Sequence, residues 1–256
     1  TKPEGISLIE DLIPKVDIVV ENYSPGVMDR RGLGYQRLRE LNPQVIMASI
    51  SGFGQTGPLS EKTAFDFIAQ AYSGLMHMTG EPDGPPMLIG AGIADTSTGV
   101  HAFAALGYAL YRRDRTGEGS HLDIGMIDAM YHTQESAVSG PSLSDGEVAG
   151  MRTGRHYAPA SPAGIFKGPK GWIVVFALEN QIVNLWAALG QPNLGDDPRF
   201  LNNRTRLENR DALTEIIEVW MSSFESDEDV VAVLEQHRVP CGPVVEPVKL
   251  VETHPH

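Results

Sequence analysis

The chain has 256 residues, 41% of them apolar and 21% charged, and carries a formal net charge of −13. That size allows one large domain or two modest ones with a sizeable buried core. The acidic balance argues against any general role on nucleic acid or anionic membranes, yet leaves room for one anionic small molecule on a local basic cluster.

The N-terminus, Thr1-Lys2-Pro3-Glu4-Gly5, lacks both an initiator Met and a signal-peptide layout. Residues 5–15 carry apolar positions at helical spacing, and Pro14 stops the run. Residues 17–21 predict a short buried strand, 34–41 an amphipathic helix halted by Asn42-Pro43, and 44–50 a second strand running into the loop Ser51-Gly52-Phe53-Gly54. Helix, strand, helix, strand at this spacing predicts an α/β unit with parallel strands. A third helix is expected over 64–78, then a Pro/Gly segment over 80–92. A long helix follows from Asp95 to about Arg113, a strand over 121–126 and a helix opened by Asp128. Gly, Pro and Ser cluster between Gly140 and Pro162, the composition of a linker or functional loop. Beyond it lie a hairpin (163–166 with 172–177) and helices around 183–189, 209–224 and 227–236. The expected organisation is a large domain over 1–140, a linker or active-site loop over 141–160 and a small α+β domain over 161–245. Residues 246–256 would then begin a return to the large domain. Ending at His254-Pro255-His256, the chain reads as cut from a longer sequence at both ends.

Several chemistries are disfavoured. Gly90-Ala91-Gly92-Ile93-Ala94-Asp95 begins like a dinucleotide fingerprint, but Asp95 stands where the third glycine would lie and would meet a pyrophosphate. The eight histidines form no H-x-x-x-H pair, so no metal site is expected, and no G-x-S-x-G elbow exists. Cys241 is the only cysteine. It excludes an intrachain disulfide, suits a reducing, cytoplasmic setting and reads as a packing residue between Pro240 and Gly242. No apolar run reaches the ~20 residues that cross a bilayer. Asp95 has two readings, because a carboxylate opening a helix serves as an N-cap or as an ionised, rigidly held nucleophile.

The motif Val20-Glu21-Asn22-Tyr23-Ser24-Pro25-Gly26-Val27-Met28-Asp29-Arg30 closely resembles the V-E-N-F-x-P-G-x-x-x-R signature of family III CoA transferases. That family includes formyl-CoA:oxalate and carnitine CoA transferases, with the α-methylacyl-CoA racemases as relatives. Phe65-Asp66-Phe67-Ile68-Ala69-Gln70-Ala71, Thr79-Gly80, Ala94-Asp95, Asp197-Pro198-Arg199-Phe200 and Val239-Pro240-Cys241-Gly242-Pro243-Val244 continue the likeness in family order. The resemblance implies a Rossmann-like large domain with a parallel sheet, a smaller α+β domain and an interlocked homodimer. It makes Asp95 the nucleophile. Asn22, Tyr23 and Ser24 fall where the family lines the adenosine end of CoA, with Tyr23 where Phe is commoner. Arg30 falls near the CoA phosphates, and Thr63, Phe65 and Asp66 beside the thioester and pantetheine arm. Lys62 stands one position from Thr63, where relatives often carry Lys. Arg155 and His156, near a loop that covers the intermediate in some relatives, are candidates for a substrate carboxylate.

Acyl-CoA and a small carboxylic acid are then the implied substrates, and no permanently bound cofactor is expected. Racemisation takes a proton from one face and returns it on the other, so it needs two bases. Related racemases place a His where this chain has Phe65, which cannot carry a proton. CoA transfer is the expected activity, with an acyl-CoA-binding protein as the non-catalytic alternative.

Overall fold

The computed structural model describes residues 2–147 and 150–252. The chain divides between Arg152 and Thr153 into two compact units.

The first unit opens with α1 (Pro3–Leu12), where Pro3 occupies a first-turn position that needs no amide donor, and continues into a 3₁₀ turn over Ile13–Lys15. β1 (Ile18–Glu21), α2 (Val27–Arg30), α3 (Tyr35–Leu41) and β2 (Ile46–Ser51) follow. Next come α4 (Asp66–Tyr72), α5 (Leu75–Met78), α6 (Ile93–Thr116), β3 (Ser120–Gly125), α7 (Met126–Thr133) and α8 (Glu135–Leu143). The strands form a parallel sheet in the order β1-β2-β3, with Glu21 opposite Ser49 and Ser51 opposite Gly125. β2 is the middle strand and is buried along nearly its whole length, as its apolar run demands of a strand covered on both faces. Ile13, Leu33, Leu38, Val45 and Met47 make one core cluster. Ala69, Ala94, Met126 and Met130 make another, beneath the start of α6.

Asn42 stitches the entry to this sheet. Its Nδ2 donates to the carbonyls of Ile13 (3.2 Å) and Val16 (3.1 Å), while its Oδ1 accepts from the Gln44 amide at 3.0 Å. Asn42→Ala is expected to cost about 2 kcal/mol, read by urea unfolding as a lower midpoint with an unchanged slope.

Three helical expectations need adjustment. The helix expected over 64–78 is two helices, because Gly74 adopts φ +85° and breaks the run. The long helix begins at Ile93, so Asp95 is its third residue rather than its first. The helix expected to open at Asp128 starts two residues earlier at Met126, and α8 carries regular structure through Pro141 into the stretch expected to be loop.

The second unit contains β4 (Ala163–Lys167), β5 (Trp172–Phe176), α9 (Ile182–Ala188), α10 (Asn203–Glu208), α11 (Arg210–Met221), α12 (Asp227–Gln236), β6 (Cys241–Pro243) and α13 (Pro247–Glu252). Its antiparallel sheet runs β4-β5-β6. The expected hairpin is present, with Ala163 opposite Phe176. Residues 253–256 lie outside the described residues. Mixed α/β architecture with one parallel and one separate antiparallel sheet is the fold class expected from the sequence.

Candidate active site

Parallel sheets bind ligands beyond the carboxyl ends of their strands, where loops and helix N-termini converge. In the first unit that edge holds a cleft of about 260 Å³. Asn22, Tyr23, Ser24 and Pro25 reach it from the turn after β1, Ser51 and Gly52 from the end of β2, and Met126 from the residue that follows β3. Lys62, Thr63, Ala64 and Phe65 form another wall, and Asp95 faces the same space.

The turn after β1 is held from below. Glu21 is buried, and its Oε2 accepts the Tyr23 amide at 2.8 Å. The ring of Tyr23 is half exposed, with the Arg31 guanidinium 5.0 Å from its centroid. On the opposite wall Phe65 is 76% exposed. Lys62 donates from Nζ to Tyr72 Oη at 2.7 Å and lies 5.1 Å from that ring. It is the one basic residue among those that line the cleft.

Gly52 lets the two walls approach. A Cβ built there would stand 2.2 Å from the Ala64 Cβ, so any side chain must push the 62–65 segment outward. Gly52→Ala is expected to destabilise by about 1–3 kcal/mol, measurable by urea unfolding, and to displace the wall that carries Thr63 and Phe65.

The start of α6 bears on the capping reading of Asp95. Gly92, at the N-cap position, has no side chain to offer, and no side-chain cap bond forms there. The first-turn amides are instead taken by a residue from another helix. Asp66 Oδ1 accepts from Ala94 N at 2.7 Å and from Asp95 N at 3.0 Å. Its Oδ2 accepts from Gln70 Nε2 at 2.6 Å. Capping is therefore Asp66's work, and the Asp95 carboxylate is left accessible at the cleft. Burial first, and the Asp66 charge second, push the Asp95 carboxyl above the ordinary carboxylate range.

Asn22, Tyr23, Ser24, Thr63, Phe65 and Asp95 thus meet in one cleft. Two residues expected there do not line it. Asp66 is buried, with its oxygens hydrogen-bonded to the amides of Ala94 and Asp95 and to Gln70. Arg30 is exposed and folds back on the turn, close enough that a Cβ on Gly26 would stand 2.8 Å from its Nη1. The neighbouring Arg31 is the residue at Tyr23. Glu21 and Gln70 were missed as site residues. For Gln70 a signal existed: it follows Asp66 by four residues, the helical spacing at which Gln and Asp pair.

In the second unit Arg155 donates to Glu218 Oε1 and lies 5.5 Å from the Trp172 ring. Burial first, then the charges of Arg210 and Arg155, hold His156 below the ordinary imidazole range. Arg155 is thus ion-paired within this unit, and His156 favours its uncharged form. Burial pushes the Cys241 thiol up to about 11, as befits a packing residue rather than a nucleophile. Among the described residues no three His, Cys, Asp or Glu side chains converge to hold a metal, and no helix is long and apolar enough to cross a membrane.

Comparison with known proteins places this geometry in a family. The profile of CoA-transferase family III matches residues 1–256. The chain is 38% identical over 244 residues to the succinyl-CoA–D-citramalate CoA-transferase of Chloroflexus aurantiacus, covering 94% of this chain and 60% of that protein. It is 37% identical over 248 residues to the acetyl-CoA:oxalate CoA-transferase of Acetobacter aceti, covering 96% of this chain and 63% of that one. A solved CaiB/BaiF family protein from Brucella suis matches with a TM-score of 0.85 at 33% identity, over 98% of this chain and 66% of that one. The chain therefore spans somewhat under two thirds of the length of these curated relatives. It belongs to CoA-transferase family III.

Proposed function

We propose that the complete protein moves CoA from an acyl-CoA donor to a carboxylic acid, with Asp95 as the acyl acceptor. The observation that carries this reading is the accessible Asp95 carboxylate, freed from capping by Asp66, at a cleft lined by the family's CoA-binding motif. The Asp95 carboxylate attacks the thioester carbonyl, the C–S bond breaks, and an aspartyl–acyl anhydride and CoA thiolate result. The thiolate then attacks the aspartyl carbonyl and expels the donor acid, leaving an aspartyl-CoA thioester. An acceptor carboxylate attacks that thioester and expels CoA thiolate again, and the thiolate takes the new acyl group and frees Asp95. Nucleophile and leaving group are both anions, so the steps need no general base. They need donors for each tetrahedral oxyanion, each typically worth ~3 kcal/mol. Backbone amides around Gly90 and Gly92 are assigned that work, a Cβ built on Gly92 lying only 4.0 Å from Asp95 Oδ2.

Asn22, Tyr23 and Ser24 are assigned to the nucleotide end of CoA and Thr63 and Phe65 to the thioester end, with Lys62 supplying positive charge. Racemisation is not favoured, because Phe65 offers no second base. The cleft is smaller than the ~300–1,000 Å³ of typical small-molecule sites, so the reading includes further CoA contacts from outside these residues. It also includes a homodimer: α6 leaves Val100, Phe103, Tyr108 and Tyr111 exposed, an apolar stripe assigned to the subunit interface. A cytoplasmic setting suits the single free thiol.

The test is a matrix of acyl-CoA donors against carboxylic acids, with CoA esters resolved by chromatography. A new ester that appears only with enzyme and acceptor together supports the reading. Solvent deuterium entering C2 of a 2-methylacyl-CoA with no acceptor present would replace it with racemisation.

A further inference from the structure

Gln70 lies behind the cleft, fully buried on α4 between the Gly-rich segment and the start of α6. Both ends of its carboxamide are used. Nε2 donates to Asp66 Oδ2 at 2.6 Å and to the Ala91 carbonyl at 3.2 Å, while Oε1 accepts the Ile89 amide at 3.1 Å. Asp66 then passes the connection on to the amides of Ala94 and Asp95. A continuous run of hydrogen bonds thus links a buried side chain to the backbone of the reacting residue, and a second branch ties down the segment just before it. Gln70 itself does not line the cleft.

We propose that Gln70 is a positioning residue, whose carboxamide clamps Asp66 onto the first turn of α6 and anchors the segment from Ile89 to Ala91. The inference rests on reading Asp95 as the nucleophile. A residue that merely filled space here would not need three directed bonds. A shorter or apolar side chain would release Asp66 to rotate, and the Asp95 backbone would lose its fixed seat. Displacing a reacting group by an ångström costs on the order of 10²-fold in rate, whereas ground-state contacts with acyl-CoA, made elsewhere in the cleft, would survive.

The titratable group bonded to Gln70 is Asp66 on its own helix, whose charge acts in turn on Asp95 of α6. From α5 and α7 come Leu75, Met126 and Met130, which pack as an apolar cluster with Ala69 and Ala94. A glutamate at position 70 would therefore meet one close carboxylate and no compensating cation among these. In its protonated form it keeps a donor toward Asp66 and an acceptor toward Ile89. Once ionised it repels Asp66 and loses the donor.

The experiment uses Gln70→Leu and Gln70→Glu in the full-length protein, assayed well below their melting temperatures. Gln70→Leu should lower kcat about 10- to 100-fold with KM for acyl-CoA within about threefold. Gln70→Glu should approach wild-type kcat at the acidic end of the accessible range and fall toward the Gln70→Leu level as pH rises. If Gln70→Leu fails to fold, the pH profile of Gln70→Glu relative to wild type carries the test. Amide exchange at Ile89, Ala94 and Asp95 should quicken in either variant above neutral pH, while the middle of α6 keeps its protection. That readout needs no turnover, so it separates a failed clamp from a failed reading of the reaction. Wild-type kcat in Gln70→Leu, a wild-type pH profile in Gln70→Glu, or unchanged exchange at those three amides would each overturn the assignment.

Discussion

Asp95→Asn in the complete enzyme is expected to lower CoA transfer by at least about 10³-fold, because the amide cannot accept the acyl group and nothing else in the cleft can replace it. Binding of acyl-CoA should change little, since the substitution removes one oxygen's charge and leaves the cleft walls in place. Nor should the fold suffer. Among the described residues the Asp95 carboxylate accepts no hydrogen bond, and its backbone amide stays with Asp66. The pH dependence of stability follows from the direction of its shift. A carboxyl whose folded-state pKa lies above its unfolded value holds more proton in the folded protein, so stability falls as pH rises through that window. Asp95→Asn removes that cost. Its melting temperature should equal or slightly exceed that of wild type at neutral pH, and the difference should vanish as pH drops below the ordinary carboxylate range. Loss of activity with gain of stability is the signature of a group kept for chemistry. Thermal melts at pH 3.5 and 7, about either side of that window, check it.

The second large effect belongs to Asp66→Ala. It strips the acceptor from two first-turn amides and from Gln70 in a buried setting. Each orphaned donor costs about 1–3 kcal/mol, so a loss of roughly 3 kcal/mol or more is expected even after partial relaxation. Against the 5–15 kcal/mol of a typical domain that is a severe change. Asp66→Asn separates support from charge. Its side-chain oxygen can still accept the Ala94 and Asp95 amides, while its NH₂ faces the Gln70 NH₂ and forces one of the two amides to turn. The variant should therefore fold with a smaller deficit. With the Asp66 charge gone, only burial still raises the Asp95 carboxyl, so the acidic limb of kcat/KM should move to lower pH. Denaturant unfolding reads the first effect and a pH–rate profile the second. A limb that stayed in place would remove Asp66 as a source of that shift.

Much of the fold was legible from period and punctuation. Apolar runs such as Val45 to Ile50, bounded by Asn42-Pro43 and Gly52, describe a parallel strand almost by themselves, and the structure places β2 there. Gly74 was not legible as a break, because a single glycine inside an apolar stretch is tolerated in many helices and only its φ of +85° reveals the kink. The start of α6 misled for a related reason. Asp is a favoured N-cap, and nothing local in Gly-Ile-Ala-Asp says that the cap is supplied 29 residues upstream by Asp66. Residue-by-residue likeness named residues that line one cleft, from the short turn between β1 and α2 and from the end of the longer segment that leads into α4. It did not foretell the orientation of Asp66 and Arg30, neither of which lines the cleft. A motif preserves position along the chain but not which way a side chain turns, and Asp66 turns into the protein while Arg30 folds over Gly26. Lys62, one residue from the expected position, lines the cleft beside Thr63, so the offset in the sequence did not move it out of reach.

One measurement bears most directly on the chemistry: peptide mass spectrometry of the full-length protein after incubation with a donor acyl-CoA and quenching in hydroxylamine. Covalent transfer requires a hydroxamate on the peptide that contains Asp95, dependent on acyl-CoA and missing from Asp95→Asn. An unmodified Asp95 peptide in a preparation that is actively exchanging CoA between acids would contradict it.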